Sequence, residues 1–214
     1  EAIEAIRKFT NGGPIIEFMS GTGYCAYLLN ENGVPTTASD LPQGHEKSSD
    51  FMMSKEKNFL PMEEIDTNDK LSVNTEDTVM LSWIPYESNS ANIVLENMSI
   101  GQKLILIGEG SGGCTGSYCM FSILEDYFKK VRVPGADIYR FYGINDGIEF
   151  WIKQKDFNLS EIGEISEDDY WSKNRDYEEA EDFVLESSNK SWYKISQNEE
   201  CQNLERFIPE EYRR

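Results

Sequence analysis

The chain has 214 residues, 39% of them hydrophobic, with 11 Phe, 11 Tyr and 4 Trp; that suffices for one sizeable core and disfavours a second full domain. Its net charge of −19 disfavours nucleic acid as a partner, because a surface without clustered Lys and Arg repels a phosphate backbone. No apolar run approaches the roughly 20 residues that span a bilayer and no signal-like segment is present, so the expectation is an intracellular, cytoplasmic protein with no membrane partner. Cys25, Cys114, Cys119 and Cys201 match no disulfide or metal-binding spacing, and with His45 the sole histidine the expectation is reduced thiols and no metal.

In chain order, residues 1–9 carry Ile3 and Ile6 at helical spacing and stop at Asn11-Gly12-Gly13. A strand at 15–19 ends in Ser20-Gly21-Thr22-Gly23, a helix at 24–30 follows, and a second strand at 34–39 ends at Asp40, which completes one βαβ unit. Residues 41–58 read as a long polar connection. Strands at 59–65, 78–83 and 103–108 and a helix at 89–98 continue the alternation. A helix at 117–130 leads to strands at 137–142 and 148–153, separated by Asn145-Asp146-Gly147, a hairpin signal that implies antiparallel pairing. Beyond residue 153 the composition changes: residues 154–214 hold 17 Asp or Glu against 8 Lys or Arg. Tyr170, Trp171, Tyr177 and Phe183 give that stretch aromatic anchors which a disordered tail usually lacks. The expected organisation is therefore a domain over 1–153 and an acidic extension over 154–214 packed in part on it.

In a doubly wound sheet, ligands sit beyond the carboxyl ends of the strands, where strand one delivers Ser20, Gly21, Thr22 and Gly23. Asp40 arrives 17 residues after Gly23, at the tip of the next strand, where a carboxylate accepts hydrogen bonds from the two hydroxyls of a ribose. Gly21, Gly23 and Ala26 also fit the looser G-x-G-x-x-A dinucleotide pattern, which keeps NAD as a competing cofactor. The second glycine-rich stretch, Gly108 to Gly116, lacks the Lys-Ser/Thr ending of a phosphate loop and carries Glu109 where a phosphate would be repelled. Its expected place is beside the Pro85-Tyr86 loop, on the substrate side of the cleft.

Glu17 followed by Ser20-Gly21-Thr22-Gly23 resembles the first motif of the class I S-adenosylmethionine-dependent methyltransferases. The order of elements from 14 to 153 resembles the same family, including a closing antiparallel hairpin that a dinucleotide dehydrogenase lacks. With "LSWIPYE" and "GEGSGGCTG", the chain resembles a group of small methyltransferase-like proteins whose middle motif usually reads Trp-Pro-Pro-Tyr-Asp; Cys25 and Ile84 depart from that group's pattern. The resemblance implies an α/β fold with a doubly wound, seven-stranded, mostly parallel sheet and an antiparallel C-terminal hairpin. It implies S-adenosylmethionine as cofactor, held by Glu17, Ser20, Gly21, Thr22, Gly23, Asp40 and Ser82, with Asp66 near the adenine amino group. The acceptor side falls to Pro85, Tyr86 and Glu87, which shape a pocket, stack a planar or cationic group and take a proton or pair with a cation. Trp83 cannot supply the Asn or Asp acceptor that amino-group methylators often carry there. The implied activity is methyl transfer to a small molecule or a basic protein; the alternatives are a non-catalytic interaction module of the same fold and an NAD-dependent oxidoreductase.

Overall fold

The structure, a computed structural model, describes residues 2–40, 58–61, 63–65, 73–134, 136 and 145–173. His45, Asp66, Cys201 and the strand expected at 137–142 lie outside the described residues. The chain divides into two compact units, Glu1–Ser166 and Glu167–Arg214.

The first unit is built on a sheet of seven strands. In chain order its elements are α1 (Ala2–Thr10), β1 (Ile15–Phe18), α2 (Tyr24–Glu31), β2 (Thr36–Asp40), β3 (Glu63–Glu64) and β4 (Thr78–Ser82). They continue as α3 (Ser90–Asn97), β5 (Lys103–Gly108), α4 (Tyr118–Tyr127), β6 (Phe128–Val131), β7 (Gly147–Lys153) and α5 (Leu159–Ile162). The strand order is β3-β2-β1-β4-β5-β7-β6. The pairs from β3 through β5 are parallel, whereas β7 runs antiparallel to both β5 and β6. That order, with its reversed seventh strand, is the class I methyltransferase-like α/β fold.

The apolar runs of the central strands explain their position. Every residue of β4 is buried, as are Leu104 to Gly108 of β5, as expected of strands covered on both faces. Helix α1 lays Ala5, Ile6 and Phe9 on the core, and the Phe9 and Phe150 rings meet at 4.8 Å. It closes in a Schellman turn: Asn11 takes φ +56° and the Gly12 N–H donates to the Arg7 carbonyl at 3.1 Å.

Two elements depart from the sequence expectation. The helix expected to run through residue 130 stops at Tyr127, and Phe128–Val131 form β6. Strand β7 spends one edge on β5, and its other edge needs a partner for its backbone groups; β6 supplies it, with Phe128 opposite Lys153 and Val131 opposite Phe150. Lys130 reinforces the pair through Glu149 and lies 5.2 Å from the centre of the Trp151 ring. The antiparallel partner of β7 therefore includes Phe128–Val131, well ahead of the Asn145-Asp146-Gly147 turn.

The third strand is also shorter than expected, two residues rather than seven. Pro61 offers no N–H and restricts Leu60, and the Phe59 N–H donates to the Thr22 carbonyl at 3.0 Å. Residues 59 and 60 thus lie against the glycine turn after β1.

Residues 154–166, where the acidic composition begins, belong to the first unit. The Leu159 N–H donates to Glu96 at 2.8 Å and Asp156 pairs with Lys153 at 3.5 Å. The second unit opens with α6 (Glu167–Lys173), whose first turn carries Glu167, Asp168 and Asp169 at its positive end. Within it the Tyr170 and Trp171 rings meet edge-on at 5.1 Å.

Candidate functional site

The direction of winding reverses between β1 and β4, so the crevice at their carboxyl ends is where this sheet accepts a ligand. The chain leaves β1 through Met19 at φ +55°, Gly21 at φ +61° and Gly23 at φ +70°, and α2 begins at once. Gly23 is confined as well as twisted: a Cβ there would sit 3.4 Å from the Ala38 side chain and 3.5 Å from Leu60. The turn is tied across to β2, since the Ser20 N–H and hydroxyl both donate to the Ser39 carbonyl at 3.0 Å. Asp40, partly exposed at the tip of β2, accepts the Gly21 N–H at 2.6 Å. Ser20, Gly21, Thr22, Gly23 and Asp40 are therefore one constellation.

Glu17 lies beneath it, 1% exposed. One carboxylate oxygen accepts the Ala26 N–H at 3.2 Å, and the other accepts the Ser82 hydroxyl. This carboxyl fastens the end of β1 to the first turn of α2 and to the end of β4. Burial pushes its pKa up to about 7, and the charge of Asp40 adds to that, while the bonds from Ser82 and Ala26 pull it down. Cys25, next to Glu17, is pushed up to about 12, by burial first and by the Glu17 charge second. It is a packed thiol and not a nucleophile at neutral pH.

On the other side of the crevice, Ile84 is 1% exposed and anchors the loop after β4, while Pro85, Tyr86 and Glu87 stand in solvent. The Pro85 carbonyl accepts the Ser88 N–H at 3.2 Å. Two further bonds clamp this loop to the glycine-rich one: the Gly116 N–H donates to the Ile84 carbonyl at 3.1 Å, and the Glu87 N–H donates to the Gly116 carbonyl at 3.0 Å. The two loops are neighbours, as their positions after β4 and β5 imply. Gly113 serves the second loop's own closure. Glu109 folds back to accept the Cys114 N–H, and a Cβ on Gly113 would sit 2.2 Å from the Glu109 Cβ.

Sequence reasoning missed Asp146 and the role of Trp83. Trp83 takes φ +47°, is half exposed, and donates its indole N–H to Asp146 at 3.0 Å. The signal was present in Asn145-Asp146-Gly147, but which residue it faces depends on β7 lying beside β5. Among the described residues no group of three or more His, Cys, Asp or Glu converges as a metal site does, and no helix is long and apolar enough to cross a membrane.

No protein-family model matches the chain, and no curated protein sequence does. Solved structures resemble it in part. Against magnesium protoporphyrin IX methyltransferase (ChlM) from Synechocystis PCC 6803 with bound SAM, identity is 15% over 71% of this chain and 78% of that one, at a TM-score of 0.47. A TehB-like SAM-dependent methyltransferase from Corynebacterium glutamicum ATCC 13032 gives 12% over 72% and 87%, at 0.47. Human N-acetylserotonin methyltransferase in complex with SAM gives 12% over 70% of this chain and 51% of that one, at 0.41, so the chain spans about half of that protein's length.

Proposed function

We propose that the protein binds S-adenosylmethionine and transfers its methyl group to an acceptor held between the Pro85-Tyr86 loop and the glycine-rich loop. The observation that carries this reading is the Asp40 carboxylate, 2.6 Å from the Gly21 N–H beside the switch point of the sheet. A carboxylate at the tip of the second strand suits a vicinal diol, and a glycine turn beside it lets a ligand approach the backbone. The residues present fit a nucleoside cofactor on those grounds. Gly21, Thr22, Gly23 and Asp40 would hold it, with Glu17 and Ser82 fixing the turn from below.

When bound, the cofactor supplies a methyl group already activated by a positive sulfur, so the chain needs chiefly to position an acceptor and exclude water. The loop clamp at Gly116 is suited to that task because it fixes Tyr86 and Glu87 on a short, twice-bonded segment. The antiparallel β7 separates this sheet from the parallel sheet of a dinucleotide dehydrogenase.

Calorimetry with S-adenosylmethionine, S-adenosylhomocysteine and NAD tests the reading. The expected result is binding of the first two and none of NAD; NAD binding alone would replace the proposed cofactor.

A further inference from the structure

We infer that the acceptor subsite, formed by Trp83, Tyr86, Glu87 and Asp146, recognises a primary alkylammonium group. The word acceptor rests on the methyl-transfer reading above; the recognition of a cation does not.

Trp83 and Tyr86 are 50% and 52% exposed, an unusual state for large aromatics that have a core within reach. Trp83 is held outward. Its backbone sits at positive φ, a conformation costly for a bulky side chain, and the buried neighbour is Ile84 instead. Its indole reaches from the end of β4 to Asp146 at the start of β7, across the end of β5 that lies between them. Asp146 thus fixes the ring from its N–H edge. Tyr86 stands three residues on, in the loop clamped to Gly116, and is followed by Glu87 at φ +56°. Both aromatics are exposed, Trp83 with its indole on Asp146 and Tyr86 with Glu87 next to it in sequence.

Among the described residues, the charge around them has one sign. Asp40, Glu87, Glu109 and Asp146 stand at the carboxyl-end edge among the described residues of β2, of the loops after β4 and β5, and of the turn before β7, and these segments hold no Lys or Arg. Among the described residues, the first cation on that side is Arg132, beyond β6. The negative face of an aromatic ring attracts a cation, and neighbouring carboxylates add to the attraction, whereas a phosphate or carboxylate ligand would meet repulsion. An alkylammonium also brings a methylene stem that packs on an aromatic face. The bound ion becomes a nucleophile when it gives a proton to water and exposes its nitrogen lone pair.

The test is calorimetric titration of the full chain, without cofactor, with three probes: a blocked Gly-Lys repeat peptide, its Gly-Glu counterpart, and spermidine. The expected result is binding of the lysine peptide and none of the glutamate peptide; binding of spermidine alone would assign the site to a free polyamine rather than a protein side chain. Trp83→Ala and Tyr86→Ala leave the net charge unchanged, so each should weaken cation binding about tenfold only if the rings take part. Cation affinity equal in parent and both variants, or absent in the parent, overturns the inference. Trp83→Leu, which also leaves the net charge unchanged, carries the same test if Trp83→Ala fails to fold. S-adenosylmethionine titrated into the parent separates the two readings. Cofactor binding without cation binding defeats the subsite alone, and cation binding without cofactor binding defeats methyl transfer while the cation site stands.

Discussion

At the amino edge of the parallel strands, Lys103 and Lys153 close helix ends; at the carboxyl edge, aromatic and acidic side chains stand exposed, Trp83 and Glu87 on strained backbone. Lys103 donates to the Phe9 carbonyl at 2.6 Å and so caps α1. Lys153 is completely buried, and its ammonium donates to the carbonyls of Leu95, Glu96 and Met98 at 3.1, 2.9 and 2.7 Å, which closes the end of α3. Burial lowers its pKa, and Asp156 and Glu96 oppose that shift. A cation at a helix carboxyl end meets both the dipole and the orphan carbonyls. The opposite edge has no such economy: among the described non-glycine residues at positive φ, Met19, Trp83 and Glu87 lie there, and only Asn11 lies at the amino edge. Strain and exposure concentrated on one edge mark the place where the fold gives up stability for a site.

The contrast is broken most severely at Lys153. Lys153→Met leaves three carbonyls at the end of α3 without their donor, and should cost about 3 kcal/mol or more, a drop of roughly 10 °C in melting temperature. The folded fraction should bind S-adenosylmethionine as the parent does. A melting temperature within 2 °C of the parent's, by calorimetric scan, would mean that the amino edge is not where stability is stored; the 2 °C limit is about half a kcal/mol for this length.

Glu17 sharpens the comparison because, among the described residues, it is the buried carboxyl at the functional edge. Its folded pKa, about 7, lies above the ordinary 4.5, so the folded state holds the proton more tightly than the unfolded chain. The resulting stability is fully present below about pH 4.5 and is lost as pH rises through about 7, a change of about 3 kcal/mol. Glu17→Gln removes this dependence. Urea melts of both proteins at several pH values should show the variant gaining on the parent across that window and no further above it. A constant difference would place the Glu17 carboxyl at its ordinary pKa.

Asp40→Ala is the milder change and the more specific one. Loss of a charged hydrogen-bond acceptor should weaken cofactor binding about tenfold to a hundredfold, in proportion to roughly 1.5–3 kcal/mol. Because Asp40 also accepts the Gly21 N–H, a small fall in melting temperature accompanies it. Calorimetric affinities equal to the parent's would remove Asp40 from the ligand site.

The glycine turn, Asp40 and the strand-loop-helix order were legible because each depends on neighbours close in sequence: turn chemistry, a period, and a fixed offset. Glu17 and Ser82 were both marked from the resemblance, yet their bond spans 65 residues and needs β1 beside β4. The boundary at Phe128 was not legible, since Phe128–Val131 continue a helical pattern until the open edge of β7 claims them. Lys153 closes the strand expected at 148–153, and nothing in the sequence marks its role. Its partners sit on α3, more than 50 residues earlier, and no local pattern points to them. Trp83 and Asp146 fail for the same reason, being joined only through the order β4-β5-β7.

The claim that the carboxyl-end edge is the ligand site is tested most directly by amide chemical-shift mapping of the 15N-labelled chain titrated with S-adenosylmethionine. The account expects the amides of Gly21, Thr22, Gly23 and Asp40 to shift, with Ser82 following, while Gly12, Gly101, Gln102 and Lys153 at the opposite edge stay in place. Shifts confined to the amino-end residues, or none at saturating ligand, would contradict it.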